Sequence, residues 1–266
     1  MTYSEKLGRG LLYGFCVVAL TFLVLPLLVI VAVSFTTTDY LAFPPQGFTL
    51  KWYSQFLHDR SYLHSIALSA GLAAAATACA LLLGTPVALI LARSARRGNS
   101  LIAGLFLSPL VLPTIVIGAA LLQFASQMGF ARTWFALFVG HTVLVIPYVV
   151  RTALASLTGF QFNLEEAAQD LGASRVQTFF LVTLPIIKPG IIAGALFGLI
   201  ISWVNVELSV FNSTAALMPL PVKLFNYVQY AIDPMIAAVS ASTIYVAVLI
   251  VILIDWIVGI DRMNAG

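Results

Sequence analysis

The chain has 266 residues, of which 61% are hydrophobic and only 9% charged, against about 25% charged in soluble domains. That balance excludes a soluble globular domain and points to an integral membrane protein. The net charge of +3 is spread thinly over 13 basic and 10 acidic side chains, so no nucleic-acid partner is expected, and Cys16 and Cys79 both fall inside apolar runs, where neither a disulfide nor a metal framework is indicated.

Six apolar runs are long enough to cross a bilayer as helices, which takes about 20 residues each. The first, 11–35, contains Pro26 and follows Lys6 and Arg9. It superficially resembles a secretory signal, but it is longer than the roughly 7–15 residues of a signal's apolar core and is expected to remain as a span. Residues 36–63 then carry FPPQGFTLKWYSQFL, whose Trp52, Tyr53 and Phe56 suit an interfacial helix or a docking surface. Spans follow at 64–92, with GLAAAATA and Pro86, at 101–125, with Pro109 and Pro113, and at 133–157, with Pro147. Each proline removes a backbone hydrogen bond, so kinked helices supported by close neighbours are expected. After a polar insert at 158–188 come the fifth span, 189–211, and a loop leading to a short amphipathic helix from about Pro221 to Ile232. The sixth span is expected at 238–259. The fold class is therefore all-α integral membrane, one transmembrane domain over 1–266.

Six crossings put both termini on one side. Lys6, Arg9, Arg93, Arg96, Arg97, Arg151, Arg175, Lys188 and Arg262 share that side, with only Lys51, Arg60, Arg132 and Lys223 opposite. The positive-inside rule makes the richer side cytoplasmic. The insert, EEAAQDLGASRVQTFFLVTLPIIKPG from residue 165 to 190, therefore faces the cytoplasm. Within it Asn163 is placed to cap a helix, with Glu166 three residues on to reach back to the capping residue's N–H. Gly172 offers a stop, Ser174 and Gln177 repeat the capping pattern, and Leu184-Pro185 favours a break before the next span. Two short helices joined at a glycine and projecting from the bilayer are predicted.

The string Glu166-Ala167-Ala168, three residues, Gly172, nine residues, then Val182-Thr183-Leu184-Pro185 resembles the EAA motif of permease subunits of bacterial ABC importers, with valine where that family often has isoleucine. The resemblance extends over essentially the whole chain and implies a type I ABC importer-like permease fold of six transmembrane helices with a cytoplasmic coupling helix, in the bacterial inner membrane. It also implies that the insert docks into a groove on a cytoplasmic ATPase, with Glu166, Ala167, Ala168, Asp170, Gly172, Leu184 and Pro185 as coupling residues. The implied partners are a second permease, in a heterodimer, two ATPase subunits and a periplasmic substrate-binding protein. No Gly-Lys pair occurs anywhere in the chain, so the usual phosphate-binding loop is missing; ATP and Mg belong to the partner ATPase, and no catalytic residue or cofactor is assigned here.

Glu207, in ISWVNVELSVFNS, is the acidic side chain most clearly inside a span. A charge there costs about 2.5–3.5 kcal/mol on insertion scales, so it should face protein or water and is a candidate for the substrate pathway, in the outer half of the fifth span. Trp203, Asn205 and Asn212 accompany it, giving polar and aromatic groups suited to an organic cation. Hydration at the outer interface, or an ion pair with a partner permease, accounts for Glu207 equally simply. Asp255 is expected to snorkel or pair structurally, and His58, His64 and His141 show no metal-ligand spacing. PLPVKLFNYVQYAIDPMIAAVSAST and FTLKWYSQFL resemble the spermidine and putrescine importer group, although NVELSVF is less acidic than the corresponding stretch of that group. An ATP-independent channel or carrier is the alternative; it would require no bound ATPase.

Overall fold

The computed structural model describes residues 3–93 and 98–258, with backbone alone for 3–7, 250 and 253–258. The side chains of Lys6, Arg96, Arg97, Asp255 and Arg262, which bear on sidedness and pairing, lie outside the described residues, as does the last residue of the sixth expected span. Every regular element described is helical, and two compact units divide the chain: residues 1–63 with 226–266, and residues 64–225.

In the first unit, α1 (Tyr3–Val33) lies beside α12 (Pro234–Val258), and the short α2 (Lys51–His58) packs on α12. Of the two readings open for this segment, an interfacial helix or a docking surface, Trp52 and Phe56 do not suit the second, since both are buried. An indole taken out of water needs a partner for its N–H, and Trp52 Nε1 donates to Thr36 O at 2.9 Å. Tyr53 follows the same logic, its hydroxyl 2.6 Å from Ser34 Oγ and 3.4 Å from Tyr245 Oη. Burial is the largest cause of a rise in the Tyr53 pKa to about 12. At the start of α12, Asp233 accepts the N–H of Met235 at 3.0 Å, and its other oxygen accepts the Tyr227 hydroxyl at 2.6 Å. The helix expected from Pro221 to Ile232 is α11 (Leu220–Val228), slightly earlier and shorter.

The second unit is built on α6 (Trp134–Leu157), an apolar helix with much of its length buried, from Ala136 to Leu157. Around it stand α3 (Arg60–Arg93), α9 (Leu184–Val204) and a broken segment formed by α4 (Asn99–Leu107), a 3-10 turn at Ser108–Leu110 and α5 (Thr114–Gln127). Val87, Ala88 and Leu89 of α3, Val150, Ala153 and Leu157 of α6, and Ile187 of α9 form a common core. Among the described residues the most extensive helix contact is α6 against α9, where Gly190, Gly194 and Gly198 recur every four residues on one face. A Cβ at Gly194 would lie 2.6 Å from Thr152 Oγ1, and one at Gly198 would lie 2.7 Å from Val145 Cγ1. Small residues at this spacing let two backbones approach in a medium where hydrophobicity gives little drive.

Two expected spans differ. The run 101–125 is not one helix: α4 with its 3-10 turn meets α5 at 103°. Pro109 and Pro113 explain the break, because neither can donate to the ladder and Pro113 is extended at ψ 129° just ahead of α5. The fifth span begins earlier and ends earlier than 189–211: the helical path runs without interruption from Arg175 to Val204 and stops there. Among the described residues, four helices are individually long and apolar enough to cross a membrane, five if the bent pair counts as one, and the part of α12 from Pro234 to Leu249 is a shorter apolar helix.

Candidate functional site

The insert after α6 opens on a glycine turn. Gly159 takes φ +83°, Phe160 N–H returns to Leu157 O at 3.1 Å, and the rings of Phe160 and Phe162 meet edge to face at 4.9 Å. The chain therefore enters helical geometry one residue before Asn163. Phe162 stands at the cap with φ −63°, Asn163 is the first residue of α7 (Asn163–Asp170), and no side chain caps this helix. Neither Asn163 nor Glu166 plays the capping part that the sequence assigned to it.

The other end follows expectation. Gly172 has φ +91°, its N–H bonds Gln169 O at 2.9 Å, and Ala173 N–H bonds Ala168 O at 3.0 Å; this left-handed stop satisfies the last carbonyls of α7. Ser174 and Gln177 then form a reciprocal capping box at the start of α8 (Arg175–Thr178). The break expected at Leu184-Pro185 is absent. Residues Phe179–Thr183 form a π-turn in which Leu184 N–H reaches back five residues to Phe179 O. The turn ahead of Pro185 is thus widened, which accommodates a residue with no N–H, and α8, the π-turn and α9 stay collinear enough to count as one helix. The insert is one short helix, α7, attached by a glycine to the extension of a long apolar helix.

Helical periodicity divides α7 into two faces. Glu166, Ala167 and Asp170 are exposed, as is Leu171 just beyond, at 91%; Ala168 is half-buried, Gly172 exposed, Leu184 half-buried and Pro185 exposed. The inward carboxylate is Glu165, a residue the sequence reading passed over. Its Oε1 accepts Arg93 Nη2 at 2.7 Å and Thr183 Oγ1 at 2.5 Å, and its side chain is 12% exposed. The sequence signal was present: 165 and 168 share a helix face opposite 166 and 170. The position of Arg93 at the end of α3 was not visible.

The four pathway candidates are placed differently from expectation. Helix α9 ends at Val204, so Glu207 lies in a turn after the helix rather than within a span, exposed, with no cation bonded to it among the described residues. Trp203 is half-buried on the last turn of α9. Asn205 explains the ending: its Oδ1 takes the Leu208 N–H at 2.9 Å and starts α10 (Ser209–Asn212). Asn212 is fully buried, and its Oδ1 takes the N–H of Arg132, a residue with φ +57°. Both asparagines accept backbone N–H groups through Oδ1.

This broken stretch is fixed by Leu208 and His141. Leu208 is fully buried beside two glycines: a Cβ on Gly118 would lie 2.9 Å from the Leu208 Cα, and one on Gly140 would lie 2.7 Å from its Cδ2. His141, 1% exposed, stands between Ser202 Oγ, 2.7 Å from Nδ1, and Ser209 Oγ, 2.9 Å from Nε2. Ser209 spends its one hydroxyl hydrogen on Asn205 O at 2.9 Å. The network therefore assigns the imidazole proton to Nε2 and lets Nδ1 accept from Ser202. His141 binds no metal in this arrangement; among the described residues no group of three or more His, Cys, Asp or Glu side chains is placed to hold one.

Comparison with known proteins agrees with this anatomy. Residues 84–260 match the model of the family described as binding-protein-dependent transport system inner membrane component. The putrescine transport system permease protein PotI of Escherichia coli K12 is 34% identical over 253 residues, 92% of this chain and 88% of the relative. The spermidine/putrescine transport system permease protein PotC of the same strain is 28% identical over 260 residues, 98% of each. The molybdenum transport system permease protein ModB of Haemophilus influenzae is 32% identical over 218 residues, 73% of this chain and 93% of the relative. Among solved structures, a bacterial ABC transporter involved in import of the acidic polysaccharide alginate superposes with a TM-score of 0.71 at 17% identity, covering 97% of this chain and 98% of that one. An amino acid ABC transporter gives 0.59 at 16%, over 79% and 98%. With a motif-bearing insert on an all-helical apolar scaffold and relatives matched along nearly their full length, the chain belongs to the binding-protein-dependent transport system inner membrane components, the permease subunits of ABC importers.

Proposed function

We propose that the chain is one membrane-spanning half of an ATP-driven importer that carries a small organic cation of the polyamine class into the cytoplasm. The observation that carries this reading is the 34% identity to a putrescine permease over 92% of the chain. In this reading the chain crosses the membrane six times with both termini cytoplasmic, the bent pair α4–α5 forming one crossing and α12 the last. A second, different permease completes the pathway, a periplasmic binding protein delivers the cation, and two ATPase subunits bind ATP and Mg. The exposed face of α7, with Glu166, Ala167, Asp170 and Leu171, seats on the ATPase, and ATP-driven closure there switches the side to which the pathway opens.

Glu207 fits this reading as an acceptor at the outer mouth, because an exposed carboxylate just beyond the end of a span meets a cation before the apolar interior does. One carboxylate matches one ammonium centre and favours a diamine over longer polyamines. The test is uptake of labelled putrescine, spermidine and molybdate by proteoliposomes holding the chain with its partner subunits. ATP-dependent entry of an amine, with molybdate excluded, is the expected result. Uptake without any ATPase subunit, or of molybdate alone, would overturn the proposal.

A further inference from the structure

The exposed face of α7 reaches the spans along the backbone only through a glycine turn at each end. Glycines in left-handed geometry stand at both of its ends, Gly159 at φ +83° and Gly172 at φ +91°, and a Cβ at either would meet nothing within 4 Å. Both connections are open, uncrowded turns. A side-chain tie between α7 and the spans would carry a push on Glu166 or Leu171 past both turns.

We infer that Glu165 is that tie: its Oε1 joins α7 at once to the end of α3, through Arg93, and to the π-turn at the foot of α9, through Thr183. Three observations converge on it. The carboxylate sits in the first turn of α7 and the guanidinium in the last turn of α3, so each charge is favoured by the helix end that carries it. The Thr183 hydroxyl is fully buried and donates at 2.5 Å to the same oxygen, a short bond characteristic of a charged acceptor. Thr183 is also the last residue of the π-turn, where the helix ladder is widened as it often is at functional sites. Displacing α7 therefore moves the ends of two spans together, one held through the Arg93 cation and the other at its widened turn.

This inference rests on the importer reading and names a positioning residue for it: Glu165 acts through Arg93 and Thr183, while the neighbouring Glu166 faces outward. Uptake per ATP hydrolysed, in proteoliposomes with the partner subunits, tests it in the wild type, Glu165→Gln, Thr183→Val and the double variant. A hydrogen bond to a charged group is worth about tenfold in an equilibrium. Each single variant is expected to lower the ratio about tenfold while the ATPase still co-purifies, and Glu165→Asp is expected to recover part of it. The double variant should fall no further than the worse single one, because both act through one joint.

Wild-type ratios in both single variants, or losses that multiply in the double variant, would overturn the joint. Loss of the ATPase during purification would also overturn it and make Glu165 a docking residue. Thr183→Val, a near-isosteric change remote from the docking face, keeps the test decisive if Glu165→Gln misfolds. Failure of the wild-type complex to transport with ATP sinks the importer reading and, with it, this one, and is distinct from a working wild type whose variants match it.

Discussion

Replacing Gly190 by alanine presses one methyl group into the close contact between α6 and α9. Its Cβ would lie 2.5 Å from the carbonyl oxygen of Thr152 and against Ser156 Oγ, about 0.9 Å short of ordinary contact at 3.4 Å. The serine can rotate, but the carbonyl is backbone, so α6 and α9 must part. Overpacking of this kind costs about 1–3 kcal/mol, enough to outweigh the roughly 0.5–1 kcal/mol that alanine gains over glycine inside a helix. Gly71, exposed on α3 with nothing within 4 Å of a Cβ, is the internal control and receives the gain without the clash. Thermal unfolding of the purified chain in detergent, followed by circular dichroism, should show Gly190→Ala melting several degrees below the wild type and Gly71→Ala at or above it. Equal melting of Gly190→Ala and wild type, or equal losses in both variants, would refute the argument from close approach.

Gly172 differs in kind: no atom crowds it, but its φ of +91° is strained for any L side chain, so Gly172→Ala should cost about 1–2 kcal/mol locally and reduce ATP-coupled uptake with the chain still folded, while Gly172→Asn, better tolerated in left-handed geometry, retains more. Uptake equal to wild type in Gly172→Ala would remove the turn from the mechanism. His141→Ala is expected to destabilise by about 1–3 kcal/mol, since a buried hydroxyl loses its acceptor, and to speed proteolysis around 205–217; an unchanged cleavage rate would show that Leu208 alone holds the stretch. The Tyr53 hydroxyl, with a pKa raised by burial to about 12, binds its proton more tightly folded than unfolded. Its contribution to stability is full below pH 10 and disappears as pH climbs toward 12; Tyr53→Phe should flatten alkaline melting curves in that window, and parallel curves would contradict it. Glu207→Gln should raise the KM for a diamine more than it lowers the maximal rate; an unchanged KM would take Glu207 out of the pathway.

The membrane character, helices at four of the six apolar runs with bounds about four residues off at most, the glycine stop at 172 and the Ser174–Gln177 capping box were all readable in the sequence, because each rests on local periodicity or on residues within four positions of one another. What was misread depended on distant partners. Asn163 lost its capping role because Gly159 and the Phe160–Phe162 ring pair start the helix early. The fifth span was drawn through Asn205 because nothing local announces that Leu208 has a socket beside Gly118 and Gly140, residues far away in the chain. Pro185 read as a break because widening to a π-turn leaves no compositional mark. Glu165 was outshone by the motif beginning at its neighbour, and Arg93 is 72 residues away. The glycine repeat at 190, 194 and 198 was visible in the sequence, but only the structure shows that α6 is what it receives.

The π-turn at Phe179–Thr183 holds one more residue than an α-helical path over the same height would need. An α-helix advances about 100° per residue, at 3.6 residues per turn, and the wider turn takes up the extra residue without passing that rotation on to its flanks. Excising a single residue between 179 and 183 would restore a regular ladder with the aim of α7 nearly kept, whereas the same deletion in the regular part of α9 would swing everything ahead of it by roughly that angle and take Glu165 away from Arg93. The π-turn is therefore the place in this long helix where related chains can gain or lose one residue without redirecting α7.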